Sequence, residues 1–215
     1  MSPEAPLTGA VVAIVLAAGR SARMGSERNK LVEEVGGRPL IAWPVDALRG
    51  AGIERIVVVT GFEAERVEAA LAGRGCTFVH HAGWAEGMGS SLACGARRIL
   101  AGPERPEAIL VCVGDLPGLR ADSVVAVLAA VHDGNGRFPA DRIALPTLAG
   151  RRGHPVLFGG DHFDALTPLG GDEGARSILR AHAAHVVEVE VDDPGCLRDV
   201  DTPAELAEAR AQPRP

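Results

Sequence analysis

Short apolar runs alternate with helical patterns along the first two thirds of the chain. The apolar runs predict four strands, over residues 11–16, 56–60, 76–79 and 108–113. Helices are predicted over residues 39–51, 63–71, 90–100 and 122–132, with Pro39 in the first turn of the first and Asp122 capping the last. This β-α-β-α order predicts a doubly wound, parallel sheet that binds its ligand at the carboxyl ends of the strands.

The pattern is less regular after residue 132. Apolar segments at 142–146 and 154–158 flank the turn-rich sequence AGRRG, which predicts a β-hairpin. A helix over 175–183 and a strand over 186–191 follow, and the capping-box sequence TPAE at 202–205 starts a last helix. The sequence contains neither an evident internal repeat nor a linker, so we interpret residues 1–215 as a single domain.

Composition narrows the class of protein. The chain has 215 residues, of which 47% are hydrophobic and only 3% aromatic, so we expect a globular domain with an aliphatic core. The net charge of −6 disfavours a nucleic-acid polymer as the main partner, but it permits a small phosphorylated substrate. No apolar run approaches the roughly 18–20 residues of a membrane helix, and the polar start lacks the basic region of a signal peptide. We therefore expect a cytoplasmic protein without membrane contact.

The four cysteines are expected to be free thiols. They are Cys76, Cys94, Cys112 and Cys196, and no pair has the CxxC spacing of a metal or redox motif. Buried free thiols explain this scatter better than a zinc site or disulfides do.

The segment 11–30 combines a buried strand, the small-residue turn Ala17-Ala18-Gly19 and a basic loop. The basic loop carries Arg20, Arg23, Arg28 and Lys30. Small residues let a polyphosphate approach backbone N–H groups, and the cations neutralise its charge. The segment matches neither the Walker A loop nor GxGxxG. We favour a polyphosphate cradle over a solvated surface loop.

Acidic residues occur at two places where a metal ion could be held. Asp115 directly follows the buried strand 108–113, where it either holds Mg²⁺ on phosphates or forms part of a turn. Asp199 and Asp201 alternate, so they face opposite ways if this segment is extended. Either one of them faces the metal, or both serve only the start of the last helix.

Two further groups of residues suit the binding of ligands. In GMGSS, the glycines Gly87 and Gly89 permit close backbone approach, and Ser90 or Ser91 either hydrogen-bonds a base edge or caps a helix. GRRGHP and GDEGAR place cationic and imidazole side chains in the irregular half, where an anionic second substrate can bind: Arg151, Arg152, His154 and Arg176. His154 can equally be a structural histidine.

These motifs together resemble one family, the molybdenum cofactor cytidylyltransferases. The resemblance covers about residues 10–210 and rests, in this order, on LAAGRSARMG…K, GMGSSLACG, GDLP, RGHP, GDEGAR and DVDTPAEL. It implies a GT-A-like nucleotidyltransferase fold, which is a Rossmann-like, three-layer α/β/α arrangement with a mostly parallel sheet. Residues 10–132 would form the nucleotide-binding half, and residues 133–210 an acceptor-binding half that contains the small hairpin.

The resemblance also implies a role for individual residues. The nucleotide would contact Leu16, Ala17, Ala18, Gly19, Arg23, Lys30, Gly87 and Ser91. Arg23, Lys30 and Asp115 would act in catalysis, Asp115 and Asp201 would bind Mg²⁺, and Arg152, His154 and Arg176 would bind the acceptor. The implied reaction transfers CMP from CTP to the terminal phosphate of molybdopterin, a phosphorylated pterin, and releases pyrophosphate. A molybdoenzyme or its maturation chaperone would be a further partner.

The choice of base depends on Ala18. The sequence Leu16-Ala17-Ala18-Gly19 is the form associated with the cytidylyl branch, whereas the guanylyl branch usually has a glycine in place of the second alanine. The Cβ of Ala18 would narrow the pocket for a purine, so we expect CTP. The alternatives are guanylyl transfer to the same cofactor, activation of a sugar or polyol phosphate, and a non-catalytic factor that inserts the cofactor.

Overall fold

A mixed β-sheet lies at the centre of the computed structural model, which describes residues 10–21, 24–25, 29–133 and 136–211. Its strands are β1 (Val11–Ala17), β4 (Arg55–Thr60), β5 (Thr77–His80), β6 (Ala108–Val113), β7 (Ile143–Leu148), β8 (Arg151–Arg152), β9 (Val156–Gly159) and β10 (Val186–Glu190). The order across the sheet is β5-β4-β1-β6-β9-β7-β10, with β8 paired to β7. β1 pairs in parallel with β4 and β6, as do β4 with β5 and β7 with β10.

Only the predicted hairpin region interrupts the parallel arrangement. β8 pairs antiparallel with β7 around a turn at Ala149 and Gly150, and both turn residues have positive φ. β9 then runs back between β6 and β7, antiparallel to both. The predicted mostly parallel α/β sheet with a small hairpin is confirmed.

Helices cover both faces of this sheet. They are α1 (Ala42–Gly50), α2 (Ala64–Ala70), α3 (Met88–Leu100), α4 (Ala121–Ala129), α5 (Phe163–Leu166), α6 (Arg176–Ala181) and α7 (Pro203–Ala211). Alternate residues of β1 enter two cores, with Val11 and Val15 packed beneath α1 and α4, and Ile14 packed beneath α3. Because both faces of the strand are apolar, the sheet is sandwiched between two helical layers.

The predicted position of Pro39 in a helix is wrong. Arg38–Pro39 forms β3, which pairs with β2 (Glu34–Val35) in a separate two-stranded sheet, and α1 starts at Ala42. Gly36 and Gly37 join the two strands with φ of 60° and 79°. Two consecutive residues of positive φ are what a tight hairpin turn requires, so this Gly-Gly pair places Pro39 in a strand and α1 starts three residues later than predicted.

Asp122 does not cap α4, whose N-cap residue is Arg120 without a side-chain cap hydrogen bond, and Asp193 from a distant part of the chain holds this helix start instead. The carboxylate of Asp193 accepts hydrogen bonds from Arg120 N (3.0 Å) and Ser123 Oγ (2.7 Å). At the other predicted cap, Glu205 Oε2 accepts from Thr202 N at 2.8 Å, while Glu205 N donates to Thr202 Oγ1 at 3.2 Å. The capping box at the start of α7 is therefore confirmed.

Two expectations from composition can be compared with the described residues. All four cysteines are free thiols, as predicted, but only Cys112 and Cys196 are buried, whereas Cys76 and Cys94 are half-buried. None of the helices in the described ranges is long and apolar enough to cross a bilayer.

Candidate functional site

A cleft of about 450 Å³ opens where β1 and β6 reach their carboxyl ends. It brings together segments far apart in sequence: the turn after β1, the start of α3, the end of β6 and the approach to α7. Nine of the predicted site residues line it, namely Leu16, Ala17, Ala18, Gly19, Lys30, Gly87, Ser91, Asp115 and Asp201. The expectation that the ligand site lies at this edge of the sheet therefore agrees with the geometry.

The turn after β1 forms the floor of the cleft, and neighbouring strand ends hold it in place. Leu16 O accepts a hydrogen bond from Gly114 N at 3.0 Å, and Ala18 O accepts one from Phe62 N at 3.0 Å. A Cβ at Gly114 would lie 2.9 Å from Leu16 O, so this strand end approaches the turn closely. A Cβ at Gly19 would have no neighbour within 4 Å among the described residues. The backbone at Gly19 is thus accessible to a ligand.

The start of α3 forms the opposite wall, where glycines pack against glycines. Gly89 N donates to Gly171 O at 2.7 Å, and a Cβ at Gly87 would lie 2.5 Å from Asp172 Oδ1. Gly87 also has φ of 112°, a conformation that other residues rarely adopt. These contacts bring Asp172 to the cleft alongside the first turn of α3.

The two serines of GMGSS have different surroundings. Both Oγ atoms donate to Gly87 O, at 2.8 Å from Ser90 and 3.4 Å from Ser91, but Ser90 Oγ also lies 2.9 Å from His81 Nε2, whereas Ser91 lines the cleft. Neither serine caps α3 by a side-chain hydrogen bond, since Gly87 occupies the cap position. Of the two, Ser91 is the one placed to contact a ligand.

Lys30 sits between two carboxylates of the cleft. Its Nζ lies 2.7 Å from Asp115 Oδ2 and 2.7 Å from Asp201 Oδ1, and its side chain is only 9% exposed. Burial alone would lower the pKa of Lys30, but the charges and hydrogen bonds of Asp115 and Asp201 outweigh burial and raise it. The ammonium group is therefore charged at neutral pH and balances the two acids.

A set of hydrogen bonds that sequence reasoning missed holds Lys30 in place. Asn29 Oδ1 accepts from Leu31 N at 3.1 Å and so caps the short 3₁₀ turn Lys30–Val32. Asn29 N donates to Glu63 Oε2 at 2.9 Å, and Asn29 Nδ2 donates to Phe62 O at 3.1 Å. Because Asn29 is fully buried, these bonds fix the direction in which Lys30 leaves the backbone.

Three carboxylates converge beside Lys30 and form what we call the acidic trio: Asp115, Asp199 and Asp201. One oxygen of each lies within 4.8 Å of the others. Val200 N donates to Asp115 O at 3.1 Å, which joins the segment before α7 to the end of β6. The residues 198–201 are irregular rather than a strand, so both alternating acids reach the cluster, and Asp199 lies beside the two acids predicted to bind the metal.

The chemistry of the acidic trio suits a hard divalent cation. Asp115 Oδ1 is buried and has no hydrogen-bond partner among the described residues. Burial, and then the charges of Asp115 and Asp201, raise the pKa of Asp199. A cation such as Mg²⁺ or Mn²⁺, which prefers oxygen ligands, would bind the carboxylate oxygen that has no donor. It would also reduce the repulsion between the three acids.

We expect Asp199→Asn to raise the melting temperature at pH 7 while weakening Mn²⁺ binding. A raised pKa in the folded state means that ionisation of Asp199 opposes folding. The stability gained by Asp199→Asn is therefore present above the folded-state pKa of Asp199 and disappears below the ordinary pKa of about 3.9. Melting curves between pH 4 and 8 test the first effect and Mn²⁺ titration the second. Asp192→Asn, at an exposed neighbour, is the control; equal effects of the two variants would contradict this account.

Two of the predicted acceptor residues, His154 and Arg176, lie close enough to interact electrostatically, whereas Arg152 pairs with Glu188. Burial lowers the pKa of His154, and the charges of Asp115, Asp199 and Arg176 also act on this ring, so His154 lies near the acidic trio and is neutral at pH 7. Arg176 is exposed at the start of α6. Arg152 instead binds Glu188 Oε1 with Nε (2.9 Å) and Nη2 (2.6 Å) and does not line the cleft. The roles of these three residues stay predictions.

Arg23 and Arg28 lie outside the described residues. The triphosphate contact expected for Arg23 therefore stays a prediction. Arg20 lies inside the described part and lines the cleft, with its guanidinium carbon 5.6 Å from the centre of the Phe62 ring.

Trp84 is a cleft residue that the sequence interpretation passed over. It packs edge-on against Phe62, with 5.7 Å between ring centroids, and lines the cleft next to Gly87. Because only 3% of the chain is aromatic, a tryptophan three residues before the glycine-rich GMG segment was a usable signal. An aromatic face at this wall suits contact with a base or a ribose.

Comparison with solved structures gives close matches in fold. A nucleotidyl transferase from Methanothermobacter thermautotroptrophicus, Mth528, superposes with a TM-score of 0.77 at 25% identity, covering 93% of this chain and 95% of that one. Rv0371c from Mycobacterium tuberculosis H37Rv, solved in complex with manganese, superposes with a TM-score of 0.73 at 27% identity, covering 93% and 97%. The described fold thus spans nearly the whole of both neighbours.

Curated relatives match over a shorter range. The bifunctional protein GlmU of Pelobacter propionicus is 36% identical over 149 residues, which is 69% of this chain and 30% of that protein. The chain thus spans less than a third of this relative's length. The model of the MobA-like NTP transferase domain matches residues 13–186, which run from the first strand to the start of the last. The chain belongs to the family of MobA-like NTP transferase domains.

Proposed function

We propose that this protein transfers CMP from CTP to the terminal phosphate of molybdopterin in the molybdenum cofactor and releases pyrophosphate. The observation that carries the proposal is the convergence of Lys30 and the acidic trio at one end of a cleft floored by Ala17-Ala18-Gly19. Family membership supports nucleotidyl transfer from an NTP. The narrower choice of acceptor rests on RGHP and GDEGAR, the motifs that resemble the molybdopterin branch.

The cleft supplies separate surroundings for the base and the phosphates. Trp84, Ser91 and the start of α3 line one wall, which suits a base and its ribose. The open backbone at Gly19, the cation Lys30 and the basic loop after β1 suit the triphosphate. We infer that the α-phosphorus lies near the acidic trio, between these two regions.

The transfer requires alignment and charge neutralisation more than proton removal. An oxygen of the acceptor phosphate attacks the α-phosphorus while the bond to the bridging oxygen of the β-phosphate breaks and pyrophosphate leaves. A phosphate monoester is already anionic at neutral pH, so no strong general base is needed. Lys30, with Arg23 as a further predicted cation, stabilises the charge that develops on the leaving pyrophosphate.

Asp115, Asp201 and Asp199 would hold the Mg²⁺ that we propose as cofactor. When bound, this ion neutralises phosphate charge and orients the reacting groups. Asp115 Oδ1 is the oxygen best placed to bind it, since that atom is buried without another partner among the described residues. Lys30 must then move from the carboxylates towards the phosphates, which a flexible lysine stem allows.

The acceptor is proposed to approach from the side of His154 and Arg176. His154 Nδ1 donates to Val111 O at 3.4 Å, so the neutral ring keeps Nε2 as an acceptor, and the exposed guanidinium of Arg176 is the group that would bind the anion. Arg152 would have to leave Glu188 to take part. We therefore expect Arg152→Ala to change acceptor KM less than Arg176→Ala does.

We expect Ala18→Gly to shift the preference between nucleotides from CTP towards GTP. Ala18 is 3% exposed and lines the cleft, so removing its Cβ enlarges the pocket for a purine. One methyl group in a pocket is worth on the order of 10-fold in kcat/KM, so the CTP/GTP ratio should fall by about that factor. Ala17→Gly, at the neighbouring lining position, is the control. An unchanged CTP/GTP ratio in Ala18→Gly would contradict the assignment of base choice to Ala18.

A sugar phosphate is the second candidate acceptor, favoured by the similarity to GlmU over 149 residues. Product analysis separates the two candidates: the protein is incubated with each NTP and with either purified molybdenum cofactor or a panel of sugar 1-phosphates. We expect a CMP adduct of the pterin and no nucleotide sugar. A nucleotide sugar formed at the higher kcat/KM would replace the proposed acceptor, whereas binding of nucleotide and cofactor without turnover would favour an insertion factor.

A further inference from the structure

Three histidines and an aspartate meet at the edge of the sheet opposite the cleft. Asp141 lies just before β7 and His185 just before β10, at the amino ends of two parallel strands. His162 follows β9, which runs antiparallel to β7, so it reaches the same edge, and His182 ends α6 beside them. The ring centroids of His162 and His182 are 4.7 Å apart, and that of His185 is 6.4 Å and 6.3 Å from them.

Asp141 fixes the tautomers of two of these rings. His162 Nε2 lies 2.9 Å from Asp141 O, and because a carbonyl oxygen only accepts, Nε2 carries the proton and Nδ1 carries a lone pair. His185 Nδ1 lies 3.3 Å from Asp141 Oδ2, and when it donates to this carboxylate its Nε2 is left as the lone-pair nitrogen. Histidines that bind metals are oriented in this manner, with the second ring nitrogen donating to a carbonyl or a carboxylate.

His162 presents a lone pair that no neighbour uses. The residue is 3% exposed, and its Nδ1 is buried without a hydrogen-bond partner among the described residues. A buried lone pair without a donor is unfavourable, and a metal ion would satisfy it. The ordered Nε2 bond and the surrounding packing fix this ring, so it is the preformed part of the cluster.

The separation of 4.7 Å between the ring centroids of His162 and His182 suits two imidazoles on one ion at an angle of about 90°, with a metal–nitrogen distance of about 2.05 Å. The ring of His185 lies 6.4 Å and 6.3 Å from these two and must move closer to share the ion. In the present rotamers, the ring nitrogens of the three histidines do not all point at one common position. His182 and His185 are partly exposed and rotate about their side-chain torsions to complete the site, whereas His162 stays in place.

We propose that His162, His182 and His185 form a binding site for a divalent transition-metal ion of the zinc class, with Asp141 orienting two of the ligands. Imidazole nitrogens suit Zn²⁺, Co²⁺ and Ni²⁺, whereas the oxygens of the acidic trio suit Mg²⁺, so the two sites select different ions. Arg142 pairs with Asp141 at 3.7 Å and is the cation next to the site. The ion links the ends of β7, β9 and β10, and it is independent of the proposed transferase activity.

The test is a calorimetric titration of the full chain with Zn²⁺ in excess Mg²⁺, which occupies the acidic trio. We expect one Zn²⁺ per chain and a rise in melting temperature, because an ion that binds only the folded state stabilises it. The double variant His182→Ala/His185→Ala should weaken binding at least about tenfold and lose the thermal shift. The control His80→Ala, at an exposed histidine elsewhere on the sheet, should keep both.

Titration with Co²⁺ identifies the ligand atoms and is independent of whether a variant folds. A nitrogen-ligated site gives d–d absorption without the intense near-ultraviolet band of a thiolate, which would indicate Cys76 or Cys94 instead. The proposal is overturned if wild-type protein binds no Zn²⁺, if the double variant binds it as tightly as wild type, or if the Co²⁺ spectrum shows thiolate ligation.

Discussion

Asp115→Asn is expected to reduce kcat for pyrophosphate release by about 10²–10³-fold or more, with a smaller change in the KM for the nucleotide. The substitution turns the Asp115 carboxylate into an amide. Among the described residues, this carboxylate contacts Lys30 Nζ at 2.7 Å and also has a buried oxygen without a hydrogen-bond partner. An amide keeps the shape of the side chain but removes the charge that would hold the cation at the α-phosphate. Steady-state kinetics with the proposed nucleotide and acceptor measure the effect.

A matched variant separates this effect from general loss of structure. Asp122→Asn removes an equivalent carboxylate from an exposed position in the first turn of α4, and it should keep activity within about twofold. Melting curves show whether Asp115→Asn remains folded, as we expect, since Lys30 retains its contact with Asp201. An Asp115→Asn protein that is folded and fully active with Mg²⁺ would remove Asp115 from the mechanism.

Lys30→Met is expected to have opposite effects on metal binding and on catalysis. The ammonium contacts Asp115 Oδ2 and Asp201 Oδ1, and its charge repels a cation held by the same two carboxylates, so removing it should tighten Mn²⁺ binding without nucleotide by at least about tenfold. The same change removes the cation predicted to stabilise the leaving pyrophosphate, so kcat should fall by about 10²–10³-fold. Mn²⁺ binding followed by electron paramagnetic resonance measures the first effect.

Arg20→Gln is the control for this prediction. Arg20 also lines the cleft, but its guanidinium packs over Phe62 and it has no ion pair with the acidic trio among the described residues, so its loss should leave Mn²⁺ affinity nearly unchanged. If Lys30→Met binds Mn²⁺ no more tightly than wild type, Lys30 does not compete with the metal. Lys30→Gln, which keeps a polar end group, serves as a second variant if the methionine protein is unstable.

The fact that residue 30 is a lysine supports the proposed movement of its ammonium group from the carboxylates to the phosphates. Lys30 is the only lysine in the sequence, while the other basic residues, apart from histidines, are arginines. A guanidinium is planar and binds carboxylates through a rigid fork, whereas an ammonium is compact and lies on a flexible stem. A group that must alternate between two carboxylates and a triphosphate is better served by the ammonium.

The central elements of the fold were predictable because the residues of each element contain a pattern that identifies it. The apolar run of β1 and the capping box of α7 are readable without knowledge of the neighbours, and both are confirmed. Pro39 and Asp122 were predicted wrongly because distant or adjacent partners decided their conformation. The hairpin turn at Gly36-Gly37 places Pro39 in a strand, and Asp193, 70 residues from Ser123, holds the start of α4, which Asp122 does not cap.

The site residues at the ends of strands were predictable, whereas those on irregular segments were less so. Asp115 follows a buried parallel strand, so its place at the cleft could be inferred from sequence alone. The joining of Asp199 to Asp115 depends on an irregular segment whose path no periodicity describes. The position of Asp172 at the cleft was also not predictable, because it depends on packing between glycines of distant segments. The pairing of Arg152 was not predictable either, because its partner Glu188 lies on a separate strand.

The most direct test of the account is pyrophosphate release by the full chain with CTP, GTP, ATP or UTP, in the presence of Mg²⁺ and purified molybdenum cofactor. The account predicts release with CTP at the highest kcat/KM, dependent on both the cofactor and the metal, abolished by a chelator and greatly reduced in Asp115→Asn. Absence of metal-dependent pyrophosphate release with every nucleotide, for this acceptor and for the sugar 1-phosphates, would contradict it.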